Sequence, residues 1–209
     1  MLGKRDIFPK TILVNNITIT IENFLRFPEV VIKEYLSKEI SEDELRKYSL
    51  RIKNFRFKTR NHIGDKNTLL WADDDGTFIL LFYEETLICF IGFYDSNPKI
   101  LEGSLKKERI IFQIQAGVFY DEKGLNIINH NNYITMFEWK KVLVQIVEKL
   151  TESKKYNNIV INSSEINFWG EISDLSKKGE HGYNIYDQTA LDLGYSFNIK
   201  KKYYSKILN

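Results

Sequence analysis

The chain has little with which to build a covalent or metal staple. Its 209 residues hold one cysteine, Cys89, so no intrachain disulfide can form. The three histidines, His62, His130 and His181, are scattered with no H-x-x-x-H pair, which argues against a structural zinc. No segment approaches the about 18 uncharged apolar residues of a membrane-crossing helix. The stretch Met1–Pro9 is charged and lacks an apolar run of signal-peptide length. These absences, with the lone cysteine inside an apolar run, predict a soluble protein of the reducing cytoplasm with no membrane partner. Charge of one sign is missing too: 30 basic against 28 acidic residues leave +2, too little to predict a polyanion partner. Walker, G-x-G-x-x-G and G-x-S-x-G patterns do not occur. Asp73-Asp74-Asp75-Gly76 lacks the alternating spacing of an EF-hand and reads as an acidic turn.

What is present is enough apolar matter for a core: 43% of the residues are apolar and 14% aromatic. At this length, that predicts one domain spanning residues 1–209. Residues 11–25 alternate around Ile17, Ile19 and Ile21 and read as a first strand. Pro28 can open a helix over 28–39. Ser41-Glu42-Asp43-Glu44 is a capping box, and Leu45, Tyr48 and Ile52 then follow at spacings of three and four, which predicts a second helix. Thr77–Tyr83 and Thr86–Tyr94, joined by Glu84-Glu85, read as two antiparallel strands, so continuously apolar that both faces should be covered. A third strand runs from Arg109 towards Asp121, with Gly117 placed for a bulge. Thr135-Met-Phe-Glu138 is a second capping box, opening a helix to Leu150 with Trp139, Leu143, Ile146 and Leu150 on one stripe. A short buried strand at Asn158–Asn162, a polar insertion over 163–182, a helix from Asp187 ended by Gly194, and a terminal strand from Ser196 to Leu208 complete the chain.

That order of elements, from the strand pair at Thr77–Asp95 to the Leu193-Gly194-Tyr195 ending, resembles the GNAT N-acetyltransferase superfamily. The resemblance covers roughly residues 11 to 208 and is carried by topology. It implies an α/β fold, α+β in its segregation: a mixed, mainly antiparallel sheet of about six to seven strands with helices on both faces. In that family a bulged strand splays from its neighbour so that backbone amides bond the pantetheine arm of acetyl-CoA, and a following V-x-P-x-x-R-G-x-G loop takes the pyrophosphate on its amides. The corresponding stretch here is Val118-Phe119-Tyr120-Asp121-Glu122-Lys123-Gly124-Leu125-Asn126. Val118, Lys123 and Gly124 match, and Asn126 stands for the last glycine, a substitution tolerated where φ is positive.

The resemblance therefore implies acetyl-CoA as co-substrate, an amine acceptor of unknown identity, and cofactor contacts from Gln115, Ala116, Gly117, Val118, Lys123, Gly124 and Asn126. The family's thiolate-protonating tyrosine commonly lies four residues before the glycine of its L-G-F/Y ending, here Ala190; Tyr186, one helical turn earlier, is the candidate in its place. Glu165 and His181 are the candidate general bases. A homodimer stays open. The basic, aromatic stretches Arg51–Arg60 and Lys200-Lys-Lys-Tyr-Tyr-Ser-Lys keep nucleic acid open as a partner, though charge balance does not favour it. The alternative to an acyltransferase is a catalytically degenerate GNAT-like binding module for protein or RNA.

Overall fold

The structure, a computed structural model, describes residues 10–14, 17–26, 28–55, 61–62, 71–72, 76–96, 99–101, 104–116, 119–120, 127–128, 131–151, 156–166 and 185–207. The expected first strand is a hairpin, β1 (Thr11–Val14) against β2 (Ile17–Thr20), followed by helix α1 (Ile21–Arg26). Thr20 makes the switch, because its hydroxyl accepts from the Asn23 amide (3.3 Å) and so caps the helix start. Pro28 is followed by α2 (Glu29–Ile32) and a 3₁₀ turn at Lys33–Tyr35, shorter than the helix expected over 28–39 because Leu36 turns extended.

Ser41 does cap a helix, accepting from the Glu44 amide at 3.2 Å, but α3 ends after one turn (Glu42–Leu45) and strand β3 (Tyr48–Phe55) begins. The expected helix through Tyr48 and Ile52 is thus corrected. Tyr48, Leu50 and Ile52 also stand two apart, and period two wins because this edge strand pairs along its whole length with β6, Tyr48 opposite Tyr83 and Phe55 opposite Gly76.

After the two-residue ladder β4 (Asn61–His62) with β5 (Trp71–Ala72), the strand pair appears as expected: β6 (Gly76–Tyr83) and β7 (Thr86–Asp95), buried on both faces. β8 (Lys99–Leu101) folds back on β9 (Ser104–Ala116), which begins earlier than the sequence predicts. A short ladder joins β10 (Phe119–Tyr120) to β11 (Ile127–Ile128). Helix α4 (Asn131–Ile134) precedes the long α5 (Trp139–Thr151). Thr135 does not open α5, for a tertiary reason: Phe137 bridges to Leu36, the Ser37 amide bonds Met136 O (2.9 Å), and the Glu138 amide bonds Tyr35 O (2.9 Å). The amide that a capping box would use is taken by another segment.

Strand β12 (Tyr156–Asn162), helix α6 (Asp187–Asp192), and strands β13 (Ser196–Asn198) and β14 (Tyr203–Ile207) finish the fold. The predicted terminal strand is therefore a hairpin, turned at Lys202 with φ 53°.

The main sheet runs β13-β14-β12-β9-β7-β6-β3, with β8 pairing only with β9. All its pairings are antiparallel except β9 with β12. This is the mixed, mainly antiparallel sheet that the sequence predicts. One face carries the larger core, where α5 buries Val142, Leu143, Ile146 and Leu150, and where α1, α2, α3, α4 and α6 contribute Phe24, Ile32, Leu45, Ile134 and Ala190. The other face carries a second cluster, Phe78, Leu80, Phe82, Leu87, Phe90 and Phe112, to which no described helix contributes. Among the described residues no helix is long and apolar enough to cross a membrane.

Candidate functional site

The one parallel pair of the sheet is short on one side. β9 and β12 pair from Lys107 opposite Tyr156 to Ile111 opposite Ile161, with a register shift between Tyr156 and Asn158, and β12 ends at Asn162. Beyond that, β9 continues to Ala116 with β7 as its partner, Cys89 lying opposite Ala116. The end of that ladder coincides with a bulge. Gly92 lies opposite Gln113 and Phe93 opposite Ile111, so Phe112 is the extra residue and turns its ring to the second core. Gly117, where the sequence places a bulge, lies outside the described residues. Gly92 makes room for the Phe112 bulge, since a Cβ there would stand 2.6 Å from Phe78 Cε1 and 3.0 Å from Phe112 Cζ.

Past the bulge, no described strand pairs with the side of β9 that faces away from β7. The Ile114 amide points away from β7 and donates to Tyr186 Oη at 3.2 Å, across 72 residues of chain. In an antiparallel ladder the N–H and C=O of one residue share a side and alternate along the strand, so Ala116 turns its backbone groups the same way as Ile114. This side of β9, beyond the end of β12, thus carries main-chain donors and acceptors at the spacing of an extended strand.

Tyr186 is held there by a well-anchored helix. It stands at the N-terminal end of α6, buried to 4% exposure, and Ala190 one turn on is wholly buried. Asp187 next to it accepts from Tyr204 Oη (3.0 Å) and from the Ser164 amide (2.9 Å), tying α6 to β14 and to the turn after β12. At its other end, Gly194 adopts φ +78° and the Tyr195 amide closes on Ala190 O at 2.9 Å, the glycine C-cap that the sequence predicts. Tyr195 Oη then donates to the buried Glu148 of α5 (2.7 Å), which also takes Lys206 Nζ (3.1 Å). Burial first, and the Glu148 charge second, push the Tyr195 phenol well above its ordinary range. The L-G-Y ending is accordingly an anchor that fixes where Tyr186 stands.

The paired half of β9 and β12 is locked by a buried cation. Arg109 has no exposure; its Nε donates to Asp95 Oδ1 (2.8 Å), its guanidinium to Thr151 Oγ1 (3.1 Å), and its plane lies 4.5 Å from the Tyr156 ring centre. Tyr156 Oη donates to the same carboxylate at 2.8 Å; burial and Asp95 raise its phenol above the ordinary value.

Of the cofactor contacts expected from sequence, Gln115 and Ala116 end β9, and Gln115 Oε1 accepts from Gln113 Nε2 at 3.1 Å. Gly117, Val118, Lys123, Gly124 and Asn126, like His181, lie outside the described residues. Glu165 lies on the turn after β12, exposed, in an ion pair with Lys202 (3.1 Å). Tyr186 is the candidate that the fold brings to this side of β9. Cys89 is buried in the core, its thiol pushed above its ordinary range by desolvation, and offers no nucleophile. Among the described residues no cluster of His, Cys, Asp and Glu could hold a metal. The Ile114 amide escapes sequence reasoning because a main-chain donor has no residue signature. The Arg109–Asp95 pair had one, two opposite charges facing each other across β7 and β9, readable once the strand register is known.

No family model matches the chain, and no curated protein matches it. Among solved structures, it is similar to the Bacillus subtilis N-acetyltransferase YlbP in complex with coenzyme A, at 10% identity over 66% of this chain and 71% of that one, with a TM-score of 0.34. So distant a likeness leaves the weight on the chain's own topology.

Proposed function

We propose that the chain is an acyl-CoA-dependent N-acyltransferase, an N-acetyltransferase that moves an acetyl group from acetyl-CoA to an amine. One observation supports this reading above the others: a bulge at Phe112 and, beyond it, a stretch of β9 that outruns the parallel ladder with β12, which stops at Ile111 and Ile161, with the Ile114 amide turned to that side. The GNAT resemblance predicts a pantetheine arm beside such a stretch. In this reading one domain, residues 1–209, holds acetyl-CoA along Gln115–Val118 with its pyrophosphate at Lys123–Asn126, and the insertion at 163–182 serves the acceptor side. The acceptor nitrogen attacks the thioester carbonyl, the C–S bond breaks, a base drawn from Glu165 or His181 takes the amine proton, and Tyr186 returns a proton to the thiolate. A cytoplasmic location fits the acyl donor.

The test is thermal denaturation with acetyl-CoA. Specific binding stabilises by about 2.7 kcal/mol at one hundred times Kd, and a flat response up to millimolar acetyl-CoA overturns the proposal. The second reading, a scaffold that binds protein or RNA without catalysis, is favoured by a different feature of the same bond: the Ile114 amide already has a partner in Tyr186, so no ligand is needed to satisfy it.

A further inference from the structure

Tyr186 and an extended ligand want the same hydrogen bond. A strand-like arm running along β9 beyond the end of β12 would use the outward amide of Ile114, and the Tyr186 hydroxyl holds that amide at 3.2 Å. The tyrosine is not a loose surface group that happens to touch the strand. It is 4% exposed, belongs to the larger core, and is carried by a helix tied down at Asp187 and at Tyr195. Main-chain donors buried in a protein are almost always satisfied, and an open strand edge leaves them bare. A phenol reaching over from the neighbouring helix settles that requirement without a ligand.

A hydroxyl without a described partner stands just past the end of β12. Ser163 directly follows β12, is 1% exposed, and its hydroxyl has no hydrogen-bond partner among the described residues. The next residue, Ser164, gives its amide to Asp187, the neighbour of Tyr186. The surroundings of α6 thus hold a hydroxyl in use at Ile114 and another without a use. An apolar occupant leaves Ser163 unexplained, whereas a polar occupant accounts for it.

Resting on the acyltransferase reading, we propose that Tyr186 is a displaceable plug: its hydroxyl occupies the Ile114 amide in the empty protein, and the amide-bearing arm of an acyl-CoA must take that bond from it to bind. This role differs from proton donation to the thiolate and makes the opposite prediction for affinity. A general acid leaves cofactor affinity nearly unchanged when removed; a plug lowers affinity while present. Each bound state then exchanges one acceptor on Ile114 for another, and the ligand gains only the difference.

The experiment uses coenzyme A itself, which binds without reacting, and compares the intact chain with Tyr186→Phe, which deletes the hydroxyl and keeps the ring in the core. Isothermal titration gives affinity, and the Ile114 amide signal in a ¹⁵N correlation spectrum reports its partner. Losing a competitor of ordinary hydrogen-bond strength should tighten coenzyme A binding by about five-fold. The Ile114 signal should move both on mutation and on adding coenzyme A to the intact chain. If coenzyme A binds the intact chain and Tyr186→Phe binds it equally or more weakly, the plug is wrong and the acyltransferase reading stands. If neither protein binds coenzyme A, both fall. Tyr186→Leu, which removes the ring as well, separates the two groups: it also lacks the hydroxyl, so a hydroxyl plug predicts tightening there too, whereas tightening seen in Tyr186→Leu and not in Tyr186→Phe makes the ring the obstacle and overturns the plug.

Discussion

The two halves of β9 are flanked differently. Its lower half, up to Ile111, pairs with β12, with one register shift between Tyr156 and Asn158; beyond, β12 ends at Asn162 while β9 runs on to Ala116 beside β7. The difference lies in where each half finds partners for its polar groups. In the lower half Arg109 brings a full charge inside, and the fold answers with Asp95, Thr151 and the Tyr156 ring, drawn from β7, α5 and β12. A buried charge held by three elements fixes their relative positions, because every displacement costs desolvated, unpaired polarity. Beyond Ile111 the strand-edge amide of Ile114 finds its acceptor in the Tyr186 phenol, which comes from a helix instead of from β12. One half is held by ionic geometry, while the other includes a neutral bond to a helix side chain. A site that must open is served by the second kind.

The largest way to break this contrast is to unlock the lower half. Asp95→Ala leaves the Arg109 guanidinium buried without its carboxylate. Removing one member of a buried pair costs about 3–5 kcal/mol, and the low end, about 3 kcal/mol, applies because Asp95 is 27% exposed and water reaches it. Urea unfolding measures this. A cost under about 1 kcal/mol would show that the lower half is held by the strand ladder alone and that the contrast is misdrawn.

The bulge divides the halves, and Gly92 permits it. Gly92→Ala puts a methyl 2.6 Å from Phe78 and 3.0 Å from Phe112. Both rings sit in the second core, so relief requires the Phe78 ring to shift and presses on the Phe112 bulge beside it, at about 1–3 kcal/mol for an overpacked site. If the acyltransferase reading holds, acetyl-CoA affinity falls with it, since the bulge marks where β9 outruns β12. Stability lost with affinity kept would detach the bulge from the binding site.

How far this was legible in the sequence follows the range of the forces involved. The strand pair β6 and β7 was readable because both faces of each strand are buried and no other element competes for those residues. The helix α6 and its Gly194 cap were readable because the cap is local. Tyr48–Ile52 reads as helix because Leu45, Tyr48 and Ile52 satisfy a helical spacing; only pairing with β6, whose partners lie 21 to 35 residues away, makes period two prevail. The start of α5 was misplaced because Tyr35 takes the Glu138 amide, a contact invisible to local pattern. In the site, Tyr186 was named from a one-turn offset in a motif and does reach β9, whereas its partner there is a main-chain amide that no residue type announces.

The smallest expected effect tests whether α6, which carries Tyr186, is also stiffened from the side of α5. Asp192 at the end of α6 takes a hydrogen bond from Gln188 Nε2 (2.6 Å) and an ion pair from Lys141 of α5 (3.0 Å). The Gln188 bond first, and Lys141 with it, hold the Asp192 carboxyl below its ordinary value. A carboxyl lowered in the folded state binds a proton more readily when unfolded, so its contribution is present above the unfolded value of about 3.9 and is lost as pH falls through the folded one. Both side chains are partly exposed, so the pair contributes less than about 1 kcal/mol. Asp192→Asn should therefore lower the melting temperature slightly at pH 7, and the gap between variant and intact chain should close as pH drops below about 4. Added salt should narrow the gap at pH 7, because water reaches the pair and mobile ions screen it. A gap that persists unchanged at pH 3 would mean that the carboxyl acts by shape and not by charge. The Tyr186 helix would then owe its electrostatic anchoring to Asp187 and not to Asp192.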